Sequence, residues 1–238
     1  MSSAAVMYNA WFCPFAQRGW IGARHRKLNI EIKEQDPYDK SPEWLAINPR
    51  GLVPSLIHNK QSIYESTILL EYYDEAWPEH DGPTVMPSDP FRRFQARAWA
   101  DHISKKIVPP YYAMLQKKSD EDRAAAGKQI LTELKYMFDE KPVEEGPFYL
   151  GDQLGFVDIM LFPHAYRIQL VLGHFRNFSI PKEGFERFHE WFANVVKCDA
   201  VRGTLADEQK LIGMYQRYAD NTAKTLVADA IRQGTAFP

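Results

Sequence analysis

The chain has 238 residues, 45% hydrophobic and 25% charged, with a formal net charge of -2 at pH 7. That length accommodates one or two domains of roughly 100–200 residues each, and the composition is that of an ordinary soluble globular protein. Basic residues interspersed with acidic ones argue against a nucleic-acid binder, which gathers Lys and Arg on one face, and no apolar stretch reaches the roughly 20 residues needed to span a bilayer.

Ala5 to Ala10 is a short run whose length and flanks suit a buried strand, and it leads directly into Cys13-Pro14. From Pro14 to Lys27 there is no further proline, Phe15 and Ile21 are interspersed with Arg and Gln, and basic residues crowd the end. This predicts a helix with proline in its first turn and cations at its negative pole. Ile30 and Ile32 alternate with Glu31 and Lys33 as a half-buried strand. Leu56-Ile57 and Ser62-Ile63-Tyr64 read as a hairpin turning at His58-Asn59-Lys60, and Glu65-Ser66 opens a helix that runs to about Trp77. The order strand, helix, strand, helix, strand, strand, helix describes a small α/β domain over residues 1–78.

Pro78 to Pro90 holds four prolines, Gly82 and several acidic residues. This composition interrupts helices and marks residues 79–90 as a linker. Beyond it the spacing is helical. Ile130, Leu131, Leu134, Met137 and Phe138 form one apolar stripe and Phe185, Phe188, Phe192 and Val195 another, so residues 91–238 are expected to be all-helical. Pro109-Pro110 and Pro163 should kink or end the helices they fall in. Gly155 followed by Asp158 reads as a helix cap with no chemistry attached.

Only Cys13 and Cys198 are present, far apart in sequence, which excludes a disulfide framework and a cysteine-based zinc cluster. A reducing compartment follows, and Met1 to Phe12 lacks the basic segment, apolar run and cleavage site of a secretory leader, so the cytoplasm is expected. The seven histidines show no metal-ligand spacing, and no nucleotide-binding glycine loop occurs; no metal is expected.

Cys13 lies between a predicted strand and a predicted helix, where unpaired backbone N–H groups and the positive end of the helix dipole favour an anion. A lowered thiol pKa and a reactive thiolate are therefore expected at Cys13. Cys13-Pro14-Phe15-Ala16 has the form of a redox motif whose second cysteine is alanine, so no local thiol can resolve a mixed disulfide. An external thiol must do so, and glutathione is the abundant one in a reducing cytosol. Cys198 is expected to have no role.

Phe12-Cys13-Pro14-Phe15-Ala16-Gln17-Arg18, Asn48-Pro49-Arg50-Gly51-Leu52-Val53-Pro54 and Tyr64-Glu65-Ser66 together resemble an omega-class glutathione transferase, in the family's order and spacing. Cys13, where other classes place Tyr or Ser, is what points to that class. The resemblance implies a thioredoxin-like α/β domain that binds glutathione, followed by an all-helical domain that binds the second substrate. It also implies that Pro54 is a cis-proline turning the Val53 backbone toward the cysteinyl unit of glutathione. Glu65 and Ser66 would hold the γ-glutamyl end, and Phe15 would flank the thiol. Lys40 would contact the glycyl carboxylate, although Ser41 intervenes between it and Pro42-Glu43-Trp44, where the family usually has none. The second-substrate pocket would take in Tyr112, Arg167 and Tyr218.

The activity so implied is glutathione-dependent thiol transfer, including deglutathionylation and dehydroascorbate reduction, through a mixed disulfide on Cys13. A non-catalytic carrier that holds aromatic small molecules with glutathione as co-ligand would share every one of these motifs. Intracellular chloride channel proteins carry a similar cysteine motif, but Arg18, Arg24, His25, Arg26 and Lys27 interrupt the segment that would insert into a membrane. Size and family suggest a homodimer.

Overall fold

The computed structural model describes residues 5–79, 82–140 and 146–235. A mixed four-stranded sheet with helices comes first and helices alone follow, as the fold class expected from the sequence requires. The strands are β1 (Ala5–Asn9), β2 (Ile30–Glu34), β3 (Ser55–His58) and β4 (Gln61–Tyr64), in the spatial order β2-β1-β3-β4. β1 runs parallel to β2, with Met7 opposite Ile32, and antiparallel to β3, with Met7 opposite Leu56. Ala5, Met7 and Asn9 are buried, as the central position of this strand demands. The β3–β4 hairpin turns at Asn59-Lys60, both with positive φ (53° and 64°), which is the backbone a two-residue hairpin loop of matching twist requires.

Helix α1 (Pro14–His25) crosses from β1 to β2, α2 (Pro42–Ile47) precedes β3, and α3 (Ser66–Ala76) follows β4. α1 stops two residues short of the expected Lys27, because Lys27 takes a left-handed conformation (φ 54°) that turns the chain toward β2. Gly22 lets α1 and α3 approach closely: a Cβ there would stand 2.3 Å from Leu70 Cδ2.

The proline-rich stretch is strapped to both halves. Asp74 of α3 accepts from the Val85 N–H (3.0 Å) and the Met86 N–H (2.8 Å), and it pairs with the buried Arg26 at 3.2 Å. Val85 and Met86 are themselves buried, and the Val85 carbonyl accepts from the Phe156 N–H at 2.9 Å.

The helical half comprises α4 (Pro90–His102), α5 (Val108–Gln116), α6 (Asp120–Lys135), α7 (Phe156–Arg167), α8 (Gly173–Arg176), α9 (Glu186–Lys197), α10 (Asp199–Arg202), α11 (Glu208–Ala219) and α12 (Leu226–Gln233). A π-helical segment, Ile103–Ile107, joins α4 to α5, so the expected kink takes the form of a widened turn. Pro109-Pro110 then fall in the first turn of α5, where a missing N–H costs no helical hydrogen bond. Pro163 stays inside α7, and its carbonyl is held by Arg167 Nη1 at 2.7 Å. α7 is buried along almost its whole length and packs against α1 and α4.

Asp158 closes the start of α7. Its carboxylate accepts from the Gly155 N–H (2.9 Å), the Tyr149 N–H (2.9 Å) and Trp191 Nε1 (2.6 Å), so one side chain ties the helix cap to the preceding loop and to α9. Burial pushes its pKa up to about 6, against these three donors, which pull it down.

Candidate active site

The turn after β1 places Cys13 at the N-cap of α1. Its N–H bonds the Ala10 carbonyl at 2.8 Å, its backbone is extended (φ -81°, ψ 123°), and Pro14 occupies the first helical position. The residue is partly exposed and packs against a small apolar cluster of Ala10, Ala16, Trp44 and Val53.

The expected lowering of the thiol pKa is corrected here. Burial pushes the Cys13 thiol above its ordinary value, outweighing the downward pull of the Ala16 and Phe15 N–H groups and of the Arg167 and Arg18 guanidiniums. The physical reason is that the loss of water around the sulfur costs the thiolate more than these donors and guanidiniums return.

The Asn48–Pro54 motif is folded by its own first residue. Asn48 Nδ2 donates to the Leu52 carbonyl and to Ser55 Oγ, both at 2.8 Å, and Asn48 Oδ1 accepts from the Arg50 N–H at 2.9 Å. The Val53-Pro54 peptide bond is cis. Glu65 is the N-cap of α3 in a positive-φ conformation (73°), and its carboxylate forms an ion pair with Arg50 Nη1. Ser66 is buried, and its Oγ accepts from Arg18 Nη1 at 3.4 Å, which links the two helix starts. Lys40 Nζ donates to the Arg50 carbonyl at 3.2 Å. The extra Ser41 is the N-cap of α2, accepting from the Trp44 N–H at 3.2 Å; it begins that helix without carrying Lys40 away from the Arg50 loop.

Tyr112, Arg167 and Tyr218 also come together, but as buried groups and not as an open wall. The Tyr112 and Tyr218 rings lie 5.7 Å apart, Tyr215 and Tyr218 5.4 Å apart, and all three are almost wholly enclosed. Tyr38 stacks on Phe12 at 6.1 Å and reaches the Tyr218 hydroxyl at 3.5 Å. Every nitrogen of the Arg167 guanidinium is used. Nε donates to the Tyr215 hydroxyl (2.8 Å), Nη1 to Gln17 Oε1 and the Pro163 carbonyl (both 2.7 Å), and Nη2 to the Phe12 carbonyl (2.9 Å). The Phe15 ring sits under the Arg18 guanidinium (5.1 Å) and edge-on to His164 (5.2 Å). Cys198 ends α9, half-buried, with its thiol donating to the Asn194 carbonyl at 3.5 Å.

Three side chains that the sequence did not single out belong to this region. Arg18 and Arg50 touch Ser66 and Glu65, and both stand inside the quoted motifs, which was the available signal. His164 is fully buried with neither ring nitrogen partnered among the described residues; nothing in its sequence context marks it. Among the described residues no group of three or more His, Cys, Asp or Glu could hold a metal ion, and no helix is long and apolar enough to cross a membrane.

The arrangement offers a single sulfur at a helix start, a neighbouring cis-proline turn, and a second helix start with a carboxylate and a hydroxyl. Comparison with known proteins gives the same outline. Family models for the glutathione S-transferase N-terminal domain and C-terminal domain match residues 7–81 and 120–194. Glutathione S-transferase 3 of Glycine max is 32% identical over 217 residues, 90% of this chain and 95% of that one. Glutathione transferase Omega 3C from Trametes versicolor superposes with a TM-score of 0.79 at 32% identity, covering 87% of this chain and 91% of that one. Rice GST1, solved in complex with glutathione, superposes with a TM-score of 0.83 at 26% identity, covering 94% of this chain and all of that one. The matched sequences are mostly plant Tau-class proteins, and Omega proteins appear among the structural neighbours.

Proposed function

The chain belongs to the glutathione S-transferase family, and on that premise we propose that it is an omega-type, glutathione-dependent thiol transferase working through a mixed disulfide on Cys13. The observation that carries this reading is the lone sulfur at the start of α1, with Ala16 where a resolving cysteine would stand. In the first step the Cys13 thiolate attacks the glutathione sulfur of a glutathionyl mixed disulfide and expels the substrate thiolate, which takes up a proton. A second glutathione thiolate then attacks the glutathione sulfur bound to Cys13, releasing oxidised glutathione and the Cys13 thiolate. The net change is an exchange in which the mixed disulfide and one reduced glutathione give the free substrate thiol and oxidised glutathione. Dehydroascorbate would enter differently: the Cys13 thiolate adds to a carbonyl carbon, one glutathione thiolate attacks the Cys13 sulfur and expels ascorbate, and a second releases oxidised glutathione, so two glutathiones supply the two electrons.

In this reading residues 1–78 hold glutathione and 91–238 shape the second site. The Val53 backbone pairs with the cysteinyl unit as an added strand, and Ser66 with the α3 N-terminus takes the γ-glutamyl carboxylate. Glu65 takes the ammonium, Lys40 reaches the glycyl carboxylate, and Phe15 flanks the sulfur. Glu65 must exchange Arg50 for that ammonium. Glu65→Gln is therefore expected to raise the KM for glutathione about tenfold or more, the cost of one charge-assisted hydrogen bond, with kcat much less affected. Steady-state kinetics at saturating mixed disulfide check this.

A reducing cytoplasm suits a catalytic cycle that consumes glutathione. A homodimer is supported by an apolar face on adjacent helices: Ile68 of α3 and Phe91 and Phe94 of α4 are 59%, 65% and 61% exposed, with the two phenylalanine rings 5.9 Å apart. Phe94→Asp is expected to convert the dimer to monomer in sedimentation velocity; an unchanged sedimentation coefficient at the dimer mass would rule this face out.

The Tau-class relatives favour a second reading, conjugation of glutathione to electrophiles, in which Cys13 is bypassed. Assaying the wild type for reduction of a glutathionylated peptide and for aryl-halide conjugation separates the two. Thiol transfer well above conjugation supports the cysteine cycle, the reverse supports the second reading, and tight glutathione binding with neither activity supports a ligand carrier.

A further inference from the structure

Arg18 and Arg167 are both about 1% exposed, and neither has a carboxylate partner among the described residues. Their hydrogen bonds go to neutral acceptors. Arg18 Nε donates to the Met160 carbonyl (3.1 Å) and Nη1 to Ser66 Oγ, while its Nη2 has no partner among the described residues. A buried cation whose charge is uncompensated is costly, so a site built this way is completed by an anion.

The acids that face these guanidiniums come from three elements. Cys13 stands at the start of α1, Tyr111 and Tyr112 on α5, and Tyr215 on α11; the base His164, on α7, feels both guanidiniums. Burial pushes Tyr215 up to about 12 and Tyr111 and Tyr112 well above their ordinary values, so the tyrosines stay neutral in the physiological range. Burial and the two guanidiniums hold His164 well below its ordinary value, so it adds no charge of either sign there. Cys13 is the acid of this set with the lowest ordinary pKa.

We propose that Arg167 is a positioning residue for Cys13: through the Phe12 carbonyl it fixes the peptide that carries the cysteine, and with Arg18 it supplies the counter-charge of the thiolate. The geometry converges on that peptide. Arg167 Nη2 and the Tyr215 hydroxyl both donate to the Phe12 carbonyl (2.9 and 3.3 Å), while Gln17 holds Nη1 from one side and is itself anchored to Thr204 Oγ1 at 3.1 Å. The helical half thus reaches the peptide beside the cysteine with a cation. The functional weight of this inference rests on the cysteine reading above, but its physical content does not.

The test is the pH dependence of Cys13 alkylation by iodoacetamide, followed by peptide mapping so that Cys198 is counted separately. In the wild type the midpoint is expected above the ordinary thiol value, since burial dominates. Arg167→Met should move it further up, by about one pH unit or more, the usual effect of an opposite charge at close range. Arg167→Lys, which keeps the charge but loses the fork onto the Phe12 carbonyl, should leave the midpoint near wild type while lowering kcat. Gln17→Glu serves where Arg167→Met does not fold: it places a carboxylate on Arg167 Nη1, neutralises the cation in place, and should also move the midpoint up. Wild-type midpoints in folded Arg167→Met and Gln17→Glu would overturn the proposal and leave the Cys13 cycle standing. Undiminished turnover by Cys13→Ser would defeat that cycle and leave the midpoint shifts as they are.

Discussion

Cys13→Ser is expected to lose glutathione-dependent reduction of a mixed disulfide by about a thousandfold or more, down to the uncatalysed exchange between free thiols. The loss is that large because a serine oxygen cannot form the mixed disulfide on which both half-reactions depend. The replacement is nearly isosteric at an N-cap, a position where serine is favoured, so the start of α1 and the fold should be undisturbed. Binding of glutathione, carried in this account by Val53, Glu65 and Ser66, should persist in the variant. Isothermal titration alongside the activity assay separates loss of chemistry from loss of binding.

The second large effect concerns the fold that holds this site in place. Asp158→Ala is expected to destabilise the protein by about 3 kcal/mol or more at pH 7, because it strips the acceptor from three buried donors at about 1–3 kcal/mol each. Those donors are the Gly155 and Tyr149 N–H groups and Trp191 Nε1. Burial raises the folded-state pKa of Asp158 to about 6 from the ordinary 3.8, so its titration contributes stability that is full below the ordinary value and fades as pH rises through about 6. The urea midpoints of wild type and variant at pH 7 measure the loss. A shift in midpoint worth under about 1 kcal/mol would mean that water or relaxed backbone replaces the carboxylate. α7 also carries Arg167, and the Met160 carbonyl of the same helix holds Arg18, so loosening its start is expected to reach the cysteine as well.

How much of this was legible in the sequence varies with the range of the forces involved. The strand leading into Cys13, the hairpin at Asn59-Lys60 and the apolar stripes on α6 and α9 are set by local period and turn chemistry, and they stand where the spacing put them. The cap formed by Gly155 and Asp158 was equally local, but the bond from Trp191 to the same carboxylate joins residues 33 apart in sequence and no local pattern shows it. The cysteine was legible as a position and misread as an environment. A helix N-terminus can be predicted from Pro14, whereas the burial of the sulfur depends on Trp44 and Val53, brought in by chain folding. Arg167 was picked out by the family resemblance, but the direction of its guanidinium is decided by the Phe12 carbonyl and Gln17 near the start of the chain and by Tyr215 far from both. His164 gave no signal at all, because a histidine on an apolar helix face reads as core, and its meaning comes from the two arginines around it.

In the proposed function, long-range contacts also decide what glutathione would meet on arrival. In the proposed binding mode a ligand that brings a thiol, two carboxylates and an ammonium would meet Cys13 at the start of α1, Glu65 and Ser66 at the start of α3, and Lys40 beside the Arg50 carbonyl, with Arg50 already paired with Glu65. The ion pair between Arg50 and Glu65 is exposed and worth little by itself, so its exchange for the ligand's ammonium costs little.

The most direct measurement is intact-protein mass spectrometry of the wild type after exposure to oxidised glutathione, with peptide mapping of both cysteines. The account predicts one glutathione adduct, located on Cys13, that is removed by reduced glutathione at the rate of turnover. Thiol transfer that proceeds with no adduct on Cys13, or with the adduct confined to Cys198, would contradict it.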